Sequence, residues 1–153
     1  MHKNKILHAL AVACLAGTFT TPAWSAPSCQ AVAQNMNRQL GNRLDSRELA
    51  DTLTSLNKNG KLPERFVTKR MARDAGWLPG HDLWSVPALK GKAIGGDRFN
   101  NFEKQLPQDR WREADLAYHG GRRNANRLIY AESGRRYLTV DHYRQFVEIP
   151  LCQ

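Results

Sequence analysis

The chain predicts an α+β fold: N-terminal helices packed on one face of a C-terminal antiparallel β-sheet of about five strands. Two observations carry this. Helical periodicity, with clear start and stop signals, is confined to the first half of the chain. From Ala93 onward the pattern changes to short β-branched or aromatic runs separated by turn residues. Helices first and strands after is the order of an α+β domain with an antiparallel sheet against its helix layer.

The elements follow in order. Residues 27–45 are polar with weak helical periodicity and read as a short helix or a leader. "SRELADTLTSLNKNGKLP" (46–63) is a clear helix. Ser46 is its candidate N-cap, Leu49, Leu53 and Leu56 form one apolar stripe, and Gly60 and Pro63 stop it. "TKRMARDAGW" (68–77) is a shorter helix with Thr68 as cap and Gly76 as C-terminal stop. "PGHDLWSVPALKGK" (79–92) is loop with one helical turn. The strand runs are "AIGG", "RWREADLAY", "NRLIYAE", "RRYLTVD" and "QFVEI". Strand alternation puts Trp111, Glu113 and Asp115 on one face and Ala114 and Leu116 on the other. Arg127 and Ile129 likewise oppose Leu128 and Tyr130. One face then packs on the helices and the other stays open, so Glu113 and Arg127 can stand together on the open face. No repeat or low-complexity tract interrupts the pattern.

Ahead of the domain stands MHKNKILHALAVACLAGTFTTPAWSA. Lys3 and Lys5 precede an apolar run and then small residues, the layout of a secretory signal peptide over 1–26. The expected organisation is therefore a removed signal (1–26), an N-terminal extension (27–45) and one domain (46–150). Removing 26 of 153 residues leaves 127, enough for one core. The formal net charge of +9 falls to about +7, because the signal carries two lysines and no acid. An exported protein this basic suits an anionic partner: nucleic acid, a membrane surface or an acidic polymer. No second apolar stretch suggests membrane insertion. Cys29 and Cys152 remain, one near each mature end, and an exported chain meets an oxidising compartment. They read as a structural staple, worth up to about 4–5 kcal/mol in the chain-entropy model if they pair. Two cysteines are too few for a structural zinc site.

The open face gathers a chemically coherent set. Glu113, Arg123, Arg127 and His142 are its candidates, with Lys69 arriving from the second helix. A carboxylate can take a proton from a hydroxyl, an imidazolium can return one to a leaving oxygen, and several cations can hold a doubly charged phosphoryl transition state. RNA offers all three partners in its 2′-hydroxyl, phosphate and 5′-oxygen; DNA lacks the nucleophile. No metal or other cofactor is required. No Ser or Cys nucleophile motif is visible, and "AIGGD" lacks the Lys-Ser/Thr ending of a phosphate-cradling loop. His81 and His119 stand alone and read as surface residues. Taken singly, each residue has a plainer reading: Glu113 with Arg123 as a structural ion pair, Arg122-Arg123 as a solvated or phosphate-positioning patch, Lys69 as an exposed helix-start cation.

Together they resemble a family. "KLP....TK" (61–69), "AGW" (75–77), "GKAIGGDRF" (91–99), "WREADLAY" (111–118), "RNANRLIY" (123–130) and "TVDHY" (139–143) occur in the order and spacing of the barnase-like, guanyl-preferring extracellular ribonucleases of bacteria. The resemblance runs from about Ser46 to Ile149 and implies the microbial ribonuclease fold. It implies Glu113 as general base, His142 as general acid, and Lys69, Arg123 and Arg127 on the scissile phosphate. Tyr143 would shape the pocket beside the acid, and Asp115 would pair with the arginines and orient them. The implied reaction is transesterification to a 2′,3′-cyclic phosphate followed by hydrolysis, with a bell-shaped pH dependence. Base choice falls to "FNNFEKQLP" (99–107). There Glu103 accepts from guanine N1–H and the exocyclic amine, and backbone amides of Asn100, Asn101 and Phe102 reach O6.

The chain departs from that pattern in places. Phe102 stands where the family commonly has Arg, which changes the base-binding site and any inhibitor contact. The loop from Pro107 to Trp111 is shorter, and "SGRRYL" (133–138) puts charge where the family has a mainly apolar hairpin. The extension and the two cysteines lie outside the pattern. The expected enzyme is a monomeric, secreted or periplasmic endoribonuclease acting on single-stranded RNA, with a small acidic barstar-like inhibitor as a cytoplasmic partner. The rival is a basic nucleic-acid-binding module that kept the fold without catalysis, which would bind RNA and DNA alike with a steep salt dependence.

Overall fold

The computed structural model describes residues 25–153. The signal segment read over 1–26 therefore falls almost wholly outside the described residues. Helix α1 is Cys29–Gln39 and α2 is Ser46–Asn59. Strand β1 (Phe66–Val67) leads into α3 (Lys69–Asp74), followed by two single 3₁₀ turns at Leu83–Ser85 and Pro87–Leu89. The remaining strands are β2 (Ala93–Arg98), β3 (Trp111–Asp115), β4 (Arg127–Ala131), β5 (Arg136–Thr139) and β6 (Val147–Glu148). The sheet runs in sequence order, β1 to β6, with β1–β2 parallel and every other pair antiparallel. It has six strands where the sequence pattern gave about five. The extra one is β1, two residues long and too short to show alternation.

The caps explain the helices. Segment 27–45 takes the helical alternative. Ser28 accepts from the amide of Ala31 at 3.1 Å, and Gly41 and Asn42 at φ of 70° and 57° turn the chain back after Leu40. The N-cap of α2 is Asp45, not Ser46: its Oδ1 accepts from Arg47 N at 2.9 Å and Glu48 N at 3.1 Å. Two capping residues stand side by side, and the carboxylate takes the role, worth about 1 kcal/mol. Gly60 closes the helix in the left-handed region, φ 65°.

Leu49 and Leu53 are fully buried, and Leu56 nearly so. They meet Val32, Ala33 and Met36 of α1 and the sheet residues Ala114, Leu128 and Leu138 in one core. Cys29 and Cys152 form a disulfide, and Asn57 of α2 donates to the Cys152 carbonyl at 2.8 Å. Backbone bonds Cys29 N to Gln153 O and Gln153 N to Pro27 O complete the clasp. Among the described residues no helix is long and apolar enough to cross a membrane.

The other face of the sheet is not open, as alternation alone suggested. All five residues of β4 are buried. A second, smaller core covers one end of that face: Trp111, Ile129, Ala131 and Leu106, walled by Phe99, Tyr137, Tyr143 and Phe146. The cover comes from loops, which period-two patterning does not reach. The remainder of the face holds the charged residues.

Candidate active site

Glu113 occupies the middle of β3, opposite Asp97 on β2 and Ile129 on β4, and is only 6 % exposed. Both its oxygens are engaged. Lys69 Nζ donates to Oε1 at 3.1 Å, and the Tyr143 hydroxyl donates to Oε2 at 2.6 Å. Lys69 is aimed by its own backbone, whose amide donates to Asp97 Oδ2 at 2.9 Å as α3 begins. A bulge makes that bond possible: the β2–β3 register shifts between Gly95 and Asp97, and Gly96, at φ 98°, takes the extra residue. Burial, then the bond to Glu113, push the Tyr143 phenol up to about 12, so it stays a donor.

Beside the carboxylate lies a buried charge cluster. Asp115 is 1 % exposed and accepts from Arg123 twice, Nε at 2.6 Å and Nη2 at 2.7 Å. Arg127 Nε sits 3.0 Å from the same carboxylate and 3.2 Å from the Tyr143 hydroxyl. Arg127 Nη1 donates to the carbonyls of Asn124 and Asn126, both at 2.7 Å. Burial pulls the Arg123 guanidinium down, but the bond and charge of Asp115 outweigh it and hold it above its usual range. Two cations on one anion leave a net positive charge next to Glu113, in surroundings that screen it little.

The strand run read over "RRYLTVD" ends two residues early: β5 stops at Thr139, and His142 stands in the loop that follows. It is exposed, and both His142 and Tyr143 take left-handed backbone, φ 57° and 69°. Such strain persists only where the surroundings impose it. Here Asp141 Oδ1 accepts from Thr139 Oγ1, Arg144 N and Gln145 N at 2.9–3.1 Å. Thr139 Oγ1 accepts from Tyr143 N at 3.0 Å, and His142 N donates to Ala125 O at 3.2 Å. The His142 ring lies 4.8 Å from the Tyr143 ring, centre to centre.

Lys69, Glu113 and Tyr143 line one end of a cleft of about 340 Å³, whose other end is the loop Asn100–Glu103. Phe99, stacked on Tyr143 at 5.4 Å, and Phe146 give it an aromatic wall. The loop is braced from within: Asn101 Nδ2 donates to Leu106 O at 2.8 Å, and Leu106 N returns to Asn101 Oδ1 at 3.1 Å. Phe102 is 85 % exposed at the rim. Glu103 is exposed and accepts from Gln105 Nε2 at 2.6 Å.

The structure thus brings Lys69, Glu113, Tyr143 and 100–103 into one cleft, with Asp115, Arg123 and Arg127 adjoining and His142 beside Tyr143. Cys29 and Cys152 stand apart, at the terminal clasp. His81 and His119 are exposed. Among the described residues no group of three or more His, Cys, Asp or Glu side chains is arranged to hold a metal ion. Sequence reasoning missed Asp97, Arg98, Gln105 and Phe146. The glycine pair before Asp97 was the available signal for the first; Arg98 closes β2, and Gln105 and Phe146 lie in loops without period.

A model of the ribonuclease family matches residues 49–150. The chain belongs to that family. A ribonuclease of Heyndrickxia coagulans is 42% identical over 92 residues, covering 58% of this chain and 84% of that protein. Ribonucleases of Bacillus intermedius and Bacillus pumilus are also 42% identical over 92 residues, and there the match spans 56% of each relative's length. Membership gives RNA as substrate class and endonucleolytic cleavage as the reaction.

Proposed function

We propose that this ribonuclease cuts single-stranded RNA after guanosine by transesterification, and that it acts outside the cytoplasm. One observation carries the chemistry: a buried carboxylate, Glu113, is fixed by Lys69 and Tyr143 at the end of a cleft and flanked by Arg127 and Arg123. Glu113 takes the proton of the ribose 2′-hydroxyl. O2′ bonds to phosphorus as the bond from phosphorus to O5′ breaks. His142 gives O5′ its proton, leaving a 2′,3′-cyclic phosphate. Water then opens the ring with the two roles exchanged. Lys69, Arg123 and Arg127 bear the negative charge that grows on the phosphoryl oxygens; no cofactor enters this scheme.

The exposed Glu103 carboxylate supports guanine as the preferred base, since it can accept the paired donors of the guanine edge, and adenine has no such pair. Phe102 offers a stacking face to a splayed base. Export rests on the N-terminal signal pattern and fits the disulfide. We further propose that the enzyme is a monomer and that an acidic, barstar-like inhibitor protects the producing cell.

The test is cleavage of a short RNA holding one guanosine, in EDTA, beside a 2′-deoxyguanosine control, with products weighed by mass spectrometry. A cyclic phosphate at guanosine, absent from the control, is the expected result. Cutting after every base would remove the role given to Glu103. Tight binding of both strands with no cutting would leave a binding module.

A further inference from the structure

A second cleft, of about 380 Å³, lies on the opposite face of the sheet. Glu113 and Arg112 are neighbours on β3 and point to opposite faces. On the Arg112 side, the ladders place Arg112 opposite Tyr130, and Tyr130 opposite Arg136. These three line the cleft, which is completed by Lys61 after α2 and by Leu62, Phe66 and Met71. The cleft is therefore cationic along one wall and apolar along the other. The charged "SGRRYL" hairpin of the sequence, which the ribonuclease site does not use, supplies Arg136.

Arg136 is the unexplained group. Its Nε is buried without any hydrogen-bond partner, and its Nη1 reaches only Leu53 O, at 3.4 Å. Among the described residues no carboxylate lies within ion-pair distance of Arg136 or Arg112. Glu132 lines the same cleft but pairs outward with Arg110, at 3.0 Å. Burial alone holds the Arg136 guanidinium below its usual range. A half-buried cation without a counter-charge is costly, and an anion supplied from outside relieves that cost. Arg112 adds a second guanidinium, tethered by Nη1 to Gly96 O at 2.8 Å. The walls Leu62, Phe66 and Met71, with Met71 53 % exposed, suit an apolar body.

We infer that this cleft binds a small organic anion, its anionic group between Arg136 and Arg112 and its apolar body on Leu62, Phe66 and Met71. The site is independent of the RNA-cleaving face.

Three probes test this on the full mature chain by amide NMR: phenyl phosphate, phenol and inorganic phosphate. Gly60, Met71 and Gly134 report on this cleft; Phe102 and Tyr143 report on the RNA face. Phenyl phosphate should give saturable shifts at the first set, with phenol and inorganic phosphate weaker there by about tenfold or more. Arg136→Leu should weaken phenyl phosphate at that set by about tenfold or more, with RNA cleavage unchanged. If that variant does not fold, Arg112→Ala alters an exposed side chain and should give a similar loss. Absence of saturable shifts at Gly60, Met71 and Gly134, equal binding of phenol, or unchanged binding in the variants would overturn the assignment.

Discussion

Asp115 and Glu103 are both carboxylates of the candidate site, yet they are held in opposite ways. Asp115 lies on a central strand, 1 % exposed, gripped by two guanidinium groups. Glu103 lies on a loop, open to solvent, and holds one glutamine amide. The difference separates two tasks. Charge stabilisation gains from groups that cannot relax away from the reacting phosphate. Base recognition needs a group that can exchange a protein partner for a ligand. In the proposed mechanism, groups anchored to the sheet serve the first and a loop serves the second.

The sharpest way to break this division is at His142, the proposed acid, which stands on the loop side. His142→Ala should lower kcat by roughly 10²–10⁴-fold. Its unfolding midpoint should barely move, because the side chain is exposed. Near-native turnover would remove it as the acid. Asp115→Ala should do the reverse in kind, costing about 3–5 kcal/mol of stability by leaving two buried cations without their anion. Urea unfolding reads this directly; a loss under about 1 kcal/mol would mean the cluster is structurally dispensable.

Local features of the fold were legible in the sequence. Leu49, Leu53 and Leu56 announce their stripe, Gly60 its stop and Thr68 its cap, since each acts within a turn of its own position. Glu113 and Arg127 were placed on one face by strand alternation. What was hidden depends on distant chain. Nothing local chooses Asp45 over Ser46 as cap. Phe99, Leu106 and Phe146 cover the face from loops, so they leave no periodic trace. The bulge at Gly96 and the strand end at Thr139 come from pairing register and from the Asp141 bonds. The roles of Lys69, Arg123 and His142 came from family likeness, because a lone cation or imidazole has a plainer reading at each position.

Two smaller effects sharpen the comparison. Glu103→Ala should cost about 1–3 kcal/mol of discrimination for guanosine over adenosine, with stability unchanged. Competition between two otherwise identical RNAs measures it, and undiminished preference would move base reading elsewhere. Asp141 links the loop to pH. The Gln145 amide, then bonds from Thr139 and Arg144, hold its carboxyl below the usual range. A lowered folded-state value means stability that is present above the unfolded value of about 3.9 and lost as pH falls through the folded one. Asp141→Ala should lack that part of the acid slope. At neutral pH it should lower kcat by roughly two- to tenfold with little change in KM, the scale of one lost hydrogen bond. Identical acid slopes in variant and parent would show that the loop is held by other means.

The Cys29–Cys152 bridge encloses both the core and the candidate site. From Cys29 to Cys152 the backbone is a covalent ring, and a protease that nicks one exposed loop opens that ring without dividing it. The cut pieces stay joined through sulfur and remain packed on one core. A nicked molecule therefore keeps its mass on a non-reducing gel and falls apart only once reductant is added. For the exported enzyme proposed here, one cut among proteases is then not yet a loss.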